Sequence, residues 1–175
     1  DRSKQDPIEY WSLLNIPKND KTQFLDEQAV INELENKLIH SVKSQMLSDV
    51  PIGSLLSGGI DSTLITAIMQ KISEKPVKTF TIGFEDKNFN EAEHASSIAE
   101  YLQTDHHELY VTSQDSLSIV SDLASIWDEP FADSSQIPTY LVMQLASKEI
   151  KVALSGDGAD ELFGGYNRYK YVPKI

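Results

Sequence analysis

The sequence predicts an α/β fold, an open parallel sheet with helices on both faces. Three observations carry that expectation. Four short apolar segments alternate with stretches of helical periodicity, the pattern of βαβ units. Two of those segments end directly in glycine-rich turns, where open parallel sheets place their ligands. The composition is that of an ordinary globular chain, with 175 residues, 40% hydrophobic and 24% charged. No apolar run approaches the ~18 residues of a membrane-spanning helix.

The elements follow in order. Residues 1–25 show little periodicity and read as an N-terminal arm or interdomain linker, broken at Pro7 and Pro17 and packed through Tyr10, Trp11, Leu13 and Leu14. Residues 26–175 read as one domain. Val30, Ile31, Leu34, Leu38, Val42 and Met46 recur near a 3.6 period, which predicts a helix over 26–48 started by Asp26. A strand is predicted over 52–56, a turn at 57–59 and a helix over 60–72. A second strand follows over 77–84 and a helix over 91–101. A third strand is expected over 106–111, helices over 116–127 and 138–149, and a fourth strand over 151–154. If the first and fourth strands are neighbours, both glycine-rich turns line one crevice.

Charge and cysteine content narrow the function. The net charge is −12, and residues 88–147 contain no Lys or Arg but ten Asp or Glu. A duplex-binding surface needs a basic face, so nucleic acid is not the expected partner. An anionic ligand here requires backbone donors, a metal ion or helix ends. The absence of cysteine removes disulfides, thiolate metal sites and a cysteine nucleophile, and fits a cytoplasmic setting.

The sharpest motif is Ser57-Gly58-Gly59-Ile60-Asp61-Ser62, which follows a strand and opens a helix. Glycine lets the backbone approach a ligand, and the helix-start N–H groups favour an anion. Ser57, Ser62 and Thr63 add hydroxyl donors. Asp61 repels a phosphate unless Mg2+ lies between them. The plainer reading is a capped helix after a tight turn. Gly53 and Gly58 have the spacing of a Walker loop, but Gly59-Ile60 stands where that loop needs Lys-Ser or Lys-Thr. Gly156-Asp157-Gly158 lacks the third glycine of a dinucleotide fingerprint, and no nucleophile elbow is present.

The second motif, residues 155–166, puts Asp157, Asp160 and Glu161 among four glycines directly after a strand. Crowded acids repel one another unless they are solvated or bind metal. Asp160 is expected to add a second oxygen ligand to a Mg2+ held by Asp61, with phosphate oxygens and water completing the octahedron. The plainer reading is an acidic solvated loop.

Together these two stretches resemble the C-terminal synthetase domain of glutamine-hydrolysing asparagine synthetases. That family belongs to the ATP pyrophosphatases, whose PP-loop has the form Ser-Gly-Gly-x-Asp-Ser, and has an adenine nucleotide alpha hydrolase-like fold, which implies the strand order 3-2-1-4 here. Thr79–Phe84, Asn90-Glu91-Ala92 and Asp128–Asp133 resemble further stretches of the family, and the likeness covers about residues 26–171. The resemblance implies ATP and Mg2+ as cofactors, with Leu56 and Ile82 contacting adenosine. It implies that Ser57, Gly58, Gly59, Asp61 and Ser62 hold the pyrophosphate portion, and that Ser155 and Gly156 touch the nucleotide near the α-phosphate. Asp61 and Asp160 are the implied metal ligands. Asp157 stands beside the acyl-adenylate where many members carry Glu.

The implied reaction converts aspartate to asparagine through β-aspartyl-AMP, with ammonia as nucleophile and pyrophosphate and AMP released. The implied partners are ATP, aspartate and ammonia delivered from a glutaminase domain, with a homodimer for the full-length enzyme. Such enzymes carry an N-terminal glutaminase domain with a cysteine nucleophile, and a lysine well after the Gly-Gly-Tyr stretch. Neither is found in this sequence, where Lys170 and Lys174 do not match that position. The chain therefore reads as part of a longer enzyme, truncated at its C-terminus and incomplete for catalysis. Two alternatives stand beside this reading. One is a relative that activates another carboxylate, either a sugar acid or a β-lactam precursor. The other is a nucleotide-binding module without catalysis. GMP and NAD synthetases suit the acidic Phe-Gly-Gly-Tyr stretch less well.

Among weaker features, His106 and His107 are adjacent on a strand and face opposite sides, so paired metal ligation is not expected. Asp128, Glu129 and Asp133 are candidates for the substrate crevice. Trp127 and Phe131 read as core residues. Tyr166, Tyr169 and Tyr171 are expected to leave apolar surface exposed.

Overall fold

The computed structural model describes residues 8–10, 12, 14, 26–84, 91–129 and 132–171. The chain divides into two compact units, residues 1–36 and 37–175, and the division falls inside the first helix, α1 (Glu27–Gln45). In the first unit Ile8, Tyr10 and Leu14 are exposed. Trp11 and Leu13 lie outside the described residues.

The second unit holds the sheet. After α1 come β1 (Ile52–Leu55), α2 (Ile60–Ile72), β2 (Lys78–Phe84), α3 (Ala92–Leu102) and β3 (Asp105–Val111). They are followed by α4 (Ser113–Val120), α5 (Leu123–Ile126), α6 (Gln136–Ala146), β4 (Val152–Leu154), α7 (Ala159–Phe163) and α8 (Asn167–Tyr171). The strands pair in the order β3-β2-β1-β4, all parallel, as the sequence predicts. Ser54 stands opposite both Thr79 and Leu154, which places the ends of β1 and β4 side by side.

The period-2 alternation of strand side chains divides the core between two faces. On one face Ile52 and Leu154 pack with Ile68 and Met69 of α2 and with Leu38 and Val42 of α1. Ala95 and Ala99 of α3 close on Leu56. On the other face the fully buried Phe80 packs with Leu55, Ala153, Ala146 and Ile150. Ile82, Phe84 and Val111 meet Leu141 of α6 and Ile119 of α4. Helices thus cover both faces. Close approach of β1 to β2 requires glycine at 53, because an added Cβ would lie 2.6 Å from the Lys78 carbonyl oxygen.

Three elements differ from expectation. The helix expected over 116–127 begins at Ser113 and breaks at Ser121–Asp122. Thr112 and Asp115 form a reciprocal cap that starts it early: the Asp115 N–H donates to Thr112 Oγ1 at 3.1 Å and the Thr112 N–H donates to Asp115 Oδ2 at 2.8 Å. The Thr112 hydroxyl also donates to Asp115 Oδ2 at 2.7 Å, and this bond, with that from the Thr112 N–H, holds the Asp115 carboxyl below its ordinary pKa. The helix expected from Pro138 starts at Gln136, since proline in a first turn has no N–H to satisfy. The acidic stretch expected as a loop instead forms α7 and α8, with Gly158 (φ 90°) and Gly164 (φ 73°) bounding α7 in the left-handed region.

His106 and His107 do face opposite ways. His106 Nδ1 lies 2.8 Å from Thr79 Oγ1, while His107 stacks on Phe80 at 5.1 Å between ring centroids. Burial lowers the pKa of His106, outweighing the nearby Glu108 carboxylate. The unfolded chain therefore takes up this proton more readily than the folded one. The neutral imidazole's contribution is full above the ordinary histidine pKa and is lost as pH falls through that value to the lowered one. Urea unfolding at about pH 7.5 and about pH 5.5 should show lower stability at the acid end, and His106→Gln should flatten that difference. Thr112→Ala should lower stability by about 1 kcal/mol in the same assay, through loss of the cap.

Candidate functional site

β1 runs apolar into the buried Leu56 and then stops, because residues 57–59 turn the chain into α2. Gly58 takes φ +84°, a conformation that side chains rarely adopt, and its backbone abuts the start of α3. An added Cβ there would lie 3.2 Å from the Ala95 nitrogen. Gly59 precedes the first turn of α2 without a side-chain cap, which leaves the helix-start donors to a ligand or solvent. The turn is tied internally through Ser62, whose hydroxyl donates to the Gly59 carbonyl at 3.2 Å and accepts from the Ser57 N–H at 3.2 Å. Ser57 Oγ lies 3.0 Å from Ser62 Oγ and accepts from the Gly59 N–H at 3.3 Å.

The second turn leaves β4 at Ser155. The Ser155 hydroxyl donates to Asp157 Oδ2 at 3.0 Å and accepts from the Asp157 N–H at 3.3 Å. Gly156 joins the two turns: an added Cβ would lie 2.6 Å from the Ser62 nitrogen and 2.7 Å from the Asp61 carbonyl carbon. Backbone therefore rests directly on the first turn of α2. Asp160 stands in the first turn of α7, and its carbonyl accepts from the N–H groups of Gly164 and Gly165.

These elements enclose a crevice of about 520 Å3 along the carboxyl ends of β1, β2 and β4. Leu56, Ser57, Gly59, Asp61, Ser62, Ile82, Ser155, Gly156, Asp157 and Asp160 all line it. Of the residues that the resemblance assigns to the nucleotide or the metal, Gly58 alone does not; it shapes the turn from behind. Asp128, Glu129 and Asp133 are exposed and do not line the crevice. Asp133 Oδ1 accepts from the Ser135 N–H at 2.8 Å, which holds its carboxyl below the ordinary range and assigns it to the start of α6. Phe131 lies outside the described residues, and Trp127 is half-buried.

β2 and α6 supply another part of the lining, through Phe80, Thr81 and Phe84 and through Pro138, Thr139, Val142 and Met143. The β2 residues fall in the Thr79–Phe84 stretch that resembles the family, whereas those of α6 carry no motif and pairing across the sheet decides which side chains they meet. Tyr166 also lines the crevice. Its hydroxyl donates to Glu161 Oε1 at 2.8 Å, which raises the phenol's pKa, and the Arg168 guanidinium lies 4.2 Å from its ring centroid. Phe163, Tyr169 and Tyr171 are exposed, as expected of this end.

Among the described residues the lining carries Asp61, Glu91, Asp157 and Asp160 but no Lys or Arg. Among the described residues no cluster of three or more His, Cys, Asp or Glu stands ready to hold a metal ion by itself. The donors that converge here are carboxylates, hydroxyls and amides. Hard oxygen donors of this kind suit Mg2+ that brings phosphate oxygens and water with it.

Contact between the two turns gives a direct prediction. Gly156→Ala should cost about 1–3 kcal/mol, because its Cβ meets backbone that cannot step aside. Gly59→Ala should cost less than about 1 kcal/mol, since φ there is −69° and the nearest atom is the flexible Ser57 hydroxyl at 3.4 Å. Thermal denaturation of the two variants checks both values.

Comparison with known proteins completes the site's description. The sequence profile of the family described as asparagine synthase matches residues 33–174. The chain is 39% identical over 145 residues to asparagine synthetase (glutamine-hydrolyzing) 1 of Bacillus subtilis, covering 83% of this chain and 23% of that protein. It is 36% identical over 160 residues to asparagine synthetase B (glutamine-hydrolyzing) of Escherichia coli, covering 81% of this chain and 28% of that protein. Among solved structures, the glutamine-dependent NAD+ synthetase of Acinetobacter baumannii in complex with ADP is similar at a TM-score of 0.57 and 25% identity. That likeness covers 77% of this chain and 27% of the other. The chain thus spans under a third of the relatives it matches. With a parallel sheet, two glycine-rich turns meeting at its carboxyl edge and a profile match across most of its length, this chain belongs to the asparagine synthase family.

Proposed function

We propose that residues 26–175 form the ATP-binding part of an enzyme that makes asparagine from aspartate. In this reading ATP lies in the crevice between the two turns. The observation that carries it is the seating of Gly156 on Asp61 and Ser62, which brings two carboxylates and the open helix start of α2 to one place. The family match and the ADP-bound synthetase relative support the same ligand.

The residues divide the nucleotide between them. The apolar side, with Leu56, Ile82, Val142 and Met143, suits the adenine ring. The turn at 57–59 and the first turn of α2 suit the β- and γ-phosphates through backbone donors and the helix dipole. Ser155 and Gly156 stand between these regions, where the α-phosphate falls. Asp61 and Asp160 would hold Mg2+, which supplies positive charge to the pyrophosphate as it leaves. No basic side chain of the described lining supplies that charge.

The chemistry proposed is attack of the aspartate β-carboxylate on the α-phosphorus. Pyrophosphate departs and β-aspartyl-AMP remains. Ammonia then attacks the acyl carbon, forming the amide and releasing AMP. The protein's share is positioning and stabilisation of leaving-group charge, the largest levers in phosphoryl transfer. Asp157 lies beside the acyl-adenylate in this arrangement, held by Ser155. Ammonia comes from glutamine hydrolysis elsewhere in the enzyme, in keeping with the names of the relatives.

Mg-ATP should raise the thermal midpoint of the protein, and GTP should raise it less. At a concentration 100 times the dissociation constant the gain is about 2.7 kcal/mol. Asp61→Asn and Asp160→Asn should each remove most of that gain while leaving the ligand-free midpoint within a few degrees. In the full-length enzyme, aspartate-dependent release of pyrophosphate, with none from glutamate, tests the acceptor. An ATP gain that does not depend on Mg2+, or that survives both substitutions, would count against the metal assignment.

A further inference from the structure

The sheet face under α2 and α3 is unusual in what it buries. Ser54, Ser62, Thr66, Thr79 and Thr81 are the buried polar residues among those described, and all carry hydroxyls. Two of them reach the phosphate-binding turn from below. Thr66 Oγ1 donates to the Ser62 carbonyl at 2.8 Å, from one turn further along α2. Thr81 Oγ1 donates across from β2 to the carbonyl of Leu56. The Leu56 N–H is already engaged, donating to the Phe80 carbonyl at 3.0 Å. With its proton committed to Ser62, Thr66 accepts from Ser54, whose hydroxyl lies 2.8 Å away in β1. Residues 57–61 are therefore suspended between two carbonyls, each held by a buried threonine.

Helix stability does not account for Thr66. A threonine hydroxyl bonded back to the carbonyl four residues earlier slightly weakens and bends a helix, and an apolar residue would fill a buried position on α2 more favourably. What the bond does achieve is a fixed direction for the peptide after Ser62, the residue that ties the turn together through its own hydroxyl. Thr81 does the same at the other end, where the chain leaves β1.

We propose that Thr66 and Thr81 are positioning residues of the nucleotide site: their buried hydroxyls fix the Ser62 and Leu56 carbonyls and so hold the intervening turn ready for the phosphates. Neither side chain need touch the phosphates to do so. The proposal rests on the reading of this crevice as an ATP site.

The test is calorimetric titration of Mg-ATP into the protein with its full native chain. Thr66→Val and Thr81→Val keep the shape and delete the hydroxyl. Each should weaken Mg-ATP by about tenfold, the size of one well-placed hydrogen bond. Thr66→Ser and Thr81→Ser restore the hydroxyl and should bind within about threefold of the parent. Thr79→Val is the control, because its hydroxyl pairs with Thr104 and His106 on the same face and reaches no part of the turn. It should bind as the parent does. Val variants that bind like the parent would overturn the proposal. So would a loss that serine does not rescue, or an equal loss in Thr79→Val, since either makes the effect one of packing. A parent protein that does not bind Mg-ATP at all would instead sink the reading of the crevice, and this proposal with it. Where a Val variant fails to fold, Ser54→Ala stands in: it removes the donor to Thr66 and should weaken Mg-ATP by about threefold, and unchanged affinity would overturn the role of Thr66.

Discussion

The contact on which the site depends is backbone against backbone, Gly156 on the first turn of α2. Any side chain at 156 would force the two turns apart, and the crevice exists because they are not apart. That contact follows from β4 pairing with β1 in parallel register, Ser54 opposite Leu154, so that both chains leave the sheet at the same edge. Phe80, Leu55, Ala153 and Ala146 fix the register from one face, and Ile68, Met69 and Leu154 from the other. A slip of one residue would turn each of these side chains to the opposite face. The hydrophobic core is in this sense part of the ligand site.

The site joins features that would be unfavourable separately. Asp61 and Asp160 stand in first turns of helices, where the dipole favours negative charge, and both face a crevice whose described lining holds no basic side chain. An anion entering alone would meet carboxylates; an anion entering with a divalent cation would meet ligands for that cation. The acidic net charge of the chain, which argues against nucleic acid, is compatible with a nucleotide that brings its own metal. Burial of the Ser54, Thr66 and Thr81 hydroxyls beneath the turn fits the same need for a defined backbone, since each buried hydroxyl must find a partner and so restricts the conformations its neighbours can take.

Much of this was legible in the sequence, for identifiable reasons. Period 2 and period 3.6 patterns place the four strands and the long helices because side-chain burial repeats with backbone geometry. The two glycine motifs are recognisable because phosphate cradles need positive φ and close backbone approach, and few residue types permit either. Helix boundaries were less legible. The start at Ser113 depends on a reciprocal cap between Thr112 and Asp115, and the break at Ser121–Asp122 leaves no strong mark in a serine-rich stretch. The conversion of residues 159–163 into a helix rests on two glycines at positive φ, which in sequence look like any flexible loop.

By itself the sequence determined the fold class, the two turns and the acids that accompany them, because each is written in local pattern and short-range spacing. Tertiary structure decided what stands opposite the turns. Thr139, Val142 and Met143 lie on a helix with no motif, and Tyr166 lies beyond a helix that the sequence does not announce. It also decided that Gly58 supports the site from behind while Gly156 forms its hinge point, and that Thr66 and Thr81 reach the two ends of one turn. These are contacts between residues far apart in the chain, and strand pairing and helix packing alone bring them within a hydrogen bond's reach.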